Sequence, residues 1–218
     1  MGRSPAELAA GLSPAFGAIL TAEPLGGVRA LDVGTGRGRV ALLLAAHGAT
    51  VIGLDHDPRL IDEARARAAA AGLGNATFAV VDVEAVEYAV WRPDFIVAHL
   101  CVSDAIIERA GRALAPGRRF ALVAFHADQW KETGRRSRFA YDEEQARRAL
   151  VGAGFTVTRL EVERDVQRFE SVEHALAAAV SLEEKWKADG RWFRYIRFLE
   201  LGGRTLTRAH LIAEARRT

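Results

Sequence analysis

Residues 31–38 read Leu31-Asp32-Val33-Gly34-Thr35-Gly36-Arg37-Gly38. They follow a short apolar run, residues 28–33, and open into a Leu- and Ala-rich stretch of helical period, residues 39–47, closed by Gly48. Glycines between a strand and a helix let the chain turn sharply and let a ligand approach the backbone. The free N–H groups and partial positive charge at the helix start favour a polar ligand there. Two features separate this turn from a dinucleotide loop. Arg39 stands one place after Gly38, where that fingerprint asks for a small residue, and a long side chain would crowd helix–strand packing. Asp32 stands two places before the first glycine, and a carboxylate there repels a phosphate but attracts an ammonium or a sulfonium.

Outward from this turn, apolar runs at residues 50–54, 76–81, 95–100 and 119–125 read as strands. Helical segments alternate with them at 58–71, stopped by Gly72, and at 103–114, stopped by Pro116-Gly117. Strands joined by such crossovers form a parallel, doubly wound α/β sheet, and continuous apolar runs mark strands buried on both faces. A helical segment over 1–27, broken at Pro14, precedes this Rossmann-like core of residues 28–165, which ends with a helix over 141–153 and a strand over 155–162. A charged insert of helical period over 170–203 carries Trp186, Trp192, Phe193, Tyr195 and Phe198, and the last strand lies within 204–218. Such an insert reads as a functional element or lid. The whole is expected to be one domain.

Composition excludes several classes. The chain has 218 residues, 50% hydrophobic and 27% charged, enough for a sizeable core and too apolar for disorder. Lys plus Arg is 30 and Asp plus Glu is 28, a formal charge of +2 that does not demand a nucleic-acid partner. One cysteine, Cys101, excludes a disulfide framework and a Cys-based zinc site, and no metal is expected. No apolar run is long enough to span a membrane, and the N-terminus, with Glu7, lacks a secretory signal. A cytoplasmic protein is the expectation.

Two further acids complete the pattern. Asp55 ends the second strand, where a carboxylate can accept from two ribose hydroxyls, and Asp82 ends the third, where it can accept from an adenine amine. Together with Asp32 they describe a cationic, adenosine-bearing ligand. With LDVGTGRG, VIGLDHDPRLIDEARARAAAAG, FAVVDVEAV, RPDFIVAHL and ALAPGRRFALVAF, the chain resembles the class I S-adenosylmethionine-dependent methyltransferases over residues 28–162. The resemblance implies seven strands, mostly parallel, with the last antiparallel and the helical insert before it. It implies S-adenosyl-L-methionine as cofactor and S-adenosyl-L-homocysteine as product. By position, Asp32, Gly34, Thr35, Gly36 and Gly38 would hold the methionine moiety, Asp55 and His56 the ribose, and Asp82 and Val83 the adenine, while His99 and Leu100 would face the methyl group.

Beyond the cofactor the residues leave alternatives open. His99 and His126 end strands and each reads either as a general base or as a hydrogen-bonded structural histidine. Trp130, Arg138, Trp192 and Tyr195 are candidate acceptor contacts; Trp192 and Tyr195, like Trp186, read equally as the insert's own packing, and Arg135, Arg136 and Arg138 as a solvated loop. Cys101 reads as a small buried residue, because a cytosine-C5 enzyme wants a Pro-Cys pair and Leu100 precedes it. AHLCVSDA after the fourth strand lacks the Pro-Pro-aromatic motif of nucleic-acid amino-methylating enzymes. The expected reaction is direct displacement onto an O, N or C atom of a small molecule. RNA or protein acceptors, a non-catalytic S-adenosylmethionine-binding module and a nicotinamide dehydrogenase are the alternatives, the last opposed by Asp32 and Arg39. No membrane partner is expected, and a homodimer is allowed.

Overall fold

The computed structural model describes residues 5–137 and 139–218. Strands β1 (Arg29–Val33), β2 (Thr50–Asp55), β3 (Ala76–Val80), β4 (Phe95–His99) and β5 (Arg119–His126) pair in parallel. A two-residue β6 (Ala140–Tyr141) adds to the end of β5. With β7 (Phe155–Arg168) and β8 (Thr205–Arg217), the sheet order is β3-β2-β1-β4-β5-β8-β7. The seven strands of this path are those expected from the sequence; β6 is an eighth, too short to show a period. Strand β8 is antiparallel. Near its end, Gly117 N–H donates to Arg217 O (2.7 Å) and Arg217 N–H to Arg118 O (2.9 Å); near its start, Thr207 O accepts from Trp130 N–H (2.9 Å). The order reverses between β1 and β4, and in such sheets ligands bind at the strand ends beside the reversal.

The first compact unit comprises residues 1–124, 143–161 and 212–218. Its helices are α1 (Pro5–Leu8), α2 (Pro14–Leu20), α3 (Arg39–Ala46), α4 (Pro58–Ala71), α5 (Asp104–Ala113) and α6 (Glu143–Gly152). Local chemistry sets their ends. The Asp57 side chain accepts from Arg59 N–H (2.9 Å) with Pro58 at the first position of α4, and Gly72 closes that helix at φ 69°. The core joins Phe16, Ile19 and Leu20 of α2 to Leu42 and Leu44 of α3 and to Val51, Phe95 and Val97 of the sheet. Arg119 is buried within it but paired. It donates to Glu214 Oε1 (2.8 Å) and Ile19 O (2.5 Å), and its guanidinium lies 4.5 Å from the centre of the Phe95 ring.

The second unit comprises residues 125–142 and 162–211. The insert is three helices: α7 (Val172–Ala179), α8 (Glu183–Asp189) and α9 (Arg191–Glu200). They are separated by a 3-10 turn at Val180–Leu182 and by Gly190 at φ 81°. Trp192, Tyr195 and Leu199 recur at helical spacing on α9 and are buried with Trp130, Ala175, Ala179, Trp186 and Leu206. Each such side chain contributes about 1.5–3 kcal/mol by leaving water. One carboxylate adds three bonds to those that hold the loop after β5. Glu132 accepts from Thr207 N–H (3.0 Å), Thr207 Oγ1 (2.5 Å) and Thr205 Oγ1 (3.2 Å). Replacing Glu132 by Ala strands the buried Thr207 donors. We expect E132A to lose about 2–3 kcal/mol in urea unfolding and T205A less than about 1 kcal/mol; equal losses contradict this role.

Candidate functional site

The turn between β1 and α3 is built around a buried carboxylate. Gly34, Gly36 and Gly38 have φ values of 69°, 52° and 75°, a region open to glycine and strained for other residues. Asp32 is 1% exposed. Its Oδ2 accepts from Thr35 Oγ1 (2.6 Å) and from Ala41 N–H (3.0 Å), tying the turn to the first turn of α3. Burial pushes the Asp32 carboxyl up to about 6; the two hydrogen bonds oppose that rise and the nearby Asp55 adds to it.

Asp55, also buried, receives the turn from β2. Its Oδ2 accepts from Gly36 N–H (2.8 Å) and its Oδ1 from Asp57 N–H (3.1 Å), with His56 Nδ1 3.3 Å from Oδ1. An ionised carboxylate offers about four lone-pair sites, so these backbone donors orient Asp55 and leave acceptor capacity for a ligand. The His56 ring itself is largely exposed. Asp82 is exposed and its Oδ1 accepts from Glu84 N–H (2.9 Å), which makes it the cap of the following turn and commits one of its two oxygens. Val83 is buried, and its carbonyl accepts from the Tyr88 hydroxyl (2.6 Å).

The end of β4 closes on the same turn. Leu100 adopts φ 57°, an uncommon strain for a branched side chain, while its N–H donates to Val123 O (2.7 Å). The Cys101 side chain lies against Gly34, where an added Cβ would stand 2.3 Å from Sγ. Burial, helped by Asp55, Asp32 and Glu84, pushes this thiol up to about 11, so it is a neutral packing group rather than a nucleophile. His99 is half-buried with its ring 5.5 Å from that of Phe16 on α2.

Arg39 does not crowd the helix. It is exposed, and its Nη1 donates to Gly11 O (2.9 Å) in the turn before α2. The close-packed position is Gly38, where an added Cβ would meet Ala64 and Phe78 at 3.1 Å. The argument against a dinucleotide ligand therefore rests on Asp32. The tie from Arg39 to the N-terminal segment had no sequence signal.

His126, in the second unit, is buried and accepts from Asp128 N–H at Nδ1 (3.0 Å). That bond spends the lone pair a general base would need and leaves the proton on Nε2. Trp130, Trp192 and Tyr195 are buried together, with the Tyr195 hydroxyl donating to Thr205 O (3.2 Å) and its pKa pushed by burial up to about 12. Arg138 lies outside the described residues. Arg136 donates to Ala140 O (2.8 Å) and Arg135 to Asp189 O, which binds this loop to its own unit. His210, which sequence reading missed, lies 5.9 Å from the Phe125 ring and burial lowers its pKa. Among the described residues no cluster of three or more His, Cys, Asp or Glu is placed to hold a metal ion, and no helix is long and apolar enough to cross a membrane.

Residues 30–117 match the methyltransferase-domain family model. A 62-residue stretch is 45% identical to the 23S rRNA (uracil(1939)-C(5))-methyltransferase RlmD of two Shewanella strains, taking in 28% of this chain and 14% of those proteins. The matched stretch is thus a small part of the curated relatives' length. A methyltransferase-like protein of Bacillus halodurans superposes with a TM-score of 0.69 at 18% identity, over 98% of this chain and 100% of that one. The [4+2]-cyclase SpnF superposes with 0.65 at 23% identity, over 93% and 79%. Haemonchus contortus phosphoethanolamine N-methyltransferase 2, solved with phosphomonomethylethanolamine and S-adenosylhomocysteine, superposes with 0.62 at 20% identity, over 94% and 52%. Residues 30–117 thus resemble a methyltransferase domain, and the solved structures share its fold. The cofactor of that family is S-adenosylmethionine, and the site suits it: carboxylates gather around the turn, and Gly36 has nothing within 4 Å of an added Cβ.

Two substitutions test the turn. Gly34→Ala adds strain and a clash with Cys101, an expected loss of about 2–4 kcal/mol, whereas Gly36→Ala adds strain alone, about 1–2 kcal/mol; urea unfolding that reverses this order overturns the packing argument. Asp32 carries a pH signature. Its folded-state pKa lies above the unfolded value, so the stability it contributes is present below about pH 4 and lost as pH rises through about 6. Wild type should lose about 3 kcal/mol relative to Asp32→Asn across that window, and parallel profiles of the two proteins contradict the burial account.

Proposed function

We propose that the chain transfers a methyl group to an O, N or C atom of a small-molecule acceptor. When bound, S-adenosylmethionine supplies an electrophilic methyl group on a positively charged sulfur. The observation that carries the reading is the pair of buried carboxylates, Asp32 and Asp55, fixed by the backbone of a turn that is open at Gly36. In this reading Asp32, Gly34, Thr35, Gly36 and Gly38 hold the methionine end, and Asp55 with His56 holds the ribose. Val83 and the second oxygen of Asp82 frame the adenine, and His99 and Leu100 border the methyl group. Attraction between Asp32 and the ligand's ammonium favours the ionised carboxylate, so donor affinity should rise with pH through about 6.

The chain's own contribution is chiefly positioning, which brings acceptor and methyl carbon into line. His99 is the better placed of the two histidines to take a proton from a hydroxyl or thiol acceptor, because the Nδ1 lone pair of His126 is committed to Asp128. An acceptor that arrives ionised needs no base. The RlmD match favours RNA as a second reading. Against thiolate-assisted C5 chemistry stands Cys101, held neutral against Gly34. A regulatory module that binds the cofactor without turnover is the remaining alternative, since one fold hosts unrelated activities.

Incubation with methyl-labelled cofactor and a metabolite extract, with and without ribonuclease, separates these readings. Ribonuclease-insensitive label in small molecules supports the proposal. Label confined to RNA supports the second reading, and binding without S-adenosylhomocysteine formation supports the module. Asp55→Ala should weaken cofactor binding in calorimetry by about 1–3 kcal/mol; unchanged affinity removes Asp55 from the ribose site.

A further inference from the structure

We propose that the second unit carries a carboxylate-binding subsite, formed by the Arg191 guanidinium against the Trp130 ring. That this subsite serves the acceptor rests on the methyltransferase reading above.

Arg191 opens α9 and is 7% exposed. Its guanidinium carbon lies 5.7 Å from the centre of the Trp130 ring. Its Nε is buried without a hydrogen-bond partner, and the nearest acid, Asp189, stands off at 3.5 Å, well beyond a charge-assisted hydrogen bond. Among the described residues no protein group accepts a hydrogen bond from this guanidinium. Two other inward-facing arginines have acceptors within the chain. Arg119 has Glu214 and Ile19 O, and Arg217 donates to Gly111 O and Gly154 O, both at 2.7 Å. Asp189 pairs with the guanidinium in charge but takes no hydrogen bond from it, so its donors keep capacity for an acceptor from outside the chain.

The surroundings narrow that acceptor. Trp186 Nε1 is a second buried donor without a partner, and its ring packs edge-on to Trp130 at 5.3 Å. Asp189 Oδ1 accepts from Arg191 N–H (3.2 Å), so the first N–H of α9 is already satisfied. The guanidinium fork matches a carboxylate. The Asp189 carboxylate nearby disfavours a second negative charge, which sets a monoanionic carboxylate above a phosphate. Sequence reading offered Trp130, Trp192 and Tyr195 as acceptor contacts but passed over Arg191, which looks like one more surface arginine in a charged helix.

Three of the chain's 4 tryptophans sit in this cluster, so intrinsic fluorescence reports on it directly. Titration of the full chain with benzoate should saturate, with benzamide and inorganic phosphate at least about tenfold weaker. Arg191→Lys should weaken benzoate by about tenfold and Arg191→Gln by more, while Arg194→Gln, on the exposed side of α9, should bind as wild type. Saturating benzoate should raise the wild-type Tm, a readout that needs no variant. Equal response to benzoate and benzamide, tighter phosphate than benzoate, or unchanged benzoate binding by R191Q overturns the subsite. S-adenosylhomocysteine calorimetry on the same proteins separates the two claims. Equal affinity in wild type and R191Q is the expected result. A chain that binds benzoate but no S-adenosylhomocysteine keeps the subsite and detaches it from methyl transfer.

Discussion

The buried carboxylate of Asp32 is the constraint around which the site is arranged. One of its oxygens holds Thr35 and the start of α3 together, so the glycine turn has a defined shape before any ligand arrives. Placing that charge in the core is unfavourable, as its raised pKa shows. A cationic ligand beside the turn would offset this cost. Stability and ligand affinity are therefore opposed at this residue, as is common where an active site is preformed.

The neighbouring features share this logic. Asp55 is turned toward the glycines by Gly36 N–H, and the strained Leu100 brings Cys101 against Gly34. Arg39 and Phe16 tie the N-terminal segment to this side of the first unit through Gly11 and His99. The second unit is organised differently, around a tryptophan cluster and the Glu132 carboxylate that binds its loop to β8.

Much of this was legible in the sequence wherever local chemistry decides the outcome. Asp57-Pro58 and Gly72 bracket α4, and the turn from Asp32 to Gly38 could be read because each residue type there has a backbone or charge consequence. What escaped depends on neighbours distant in sequence. Strand β7 runs to Arg168, beyond the alternating stretch that ends near residue 162, because β8 offers it a partner along its length: Phe169 N–H still donates to Arg204 O (2.9 Å). The insert breaks into three helices at Gly190 and at a 3-10 turn although its charge pattern is continuous. Sequence alone could not show that Arg39 turns outward, that His126 spends its lone pair on Asp128, or that Arg191 is buried, because each is a fact of tertiary contact.

The most direct measurement is a carbon-13 carboxyl NMR titration of Asp32 between about pH 3 and 8, in the free chain and with saturating S-adenosylhomocysteine. The account predicts a midpoint near 6 in the free protein, displaced downward when the ligand's ammonium lies beside the turn. A midpoint in the ordinary aspartate range, or one the ligand leaves unmoved, would contradict it.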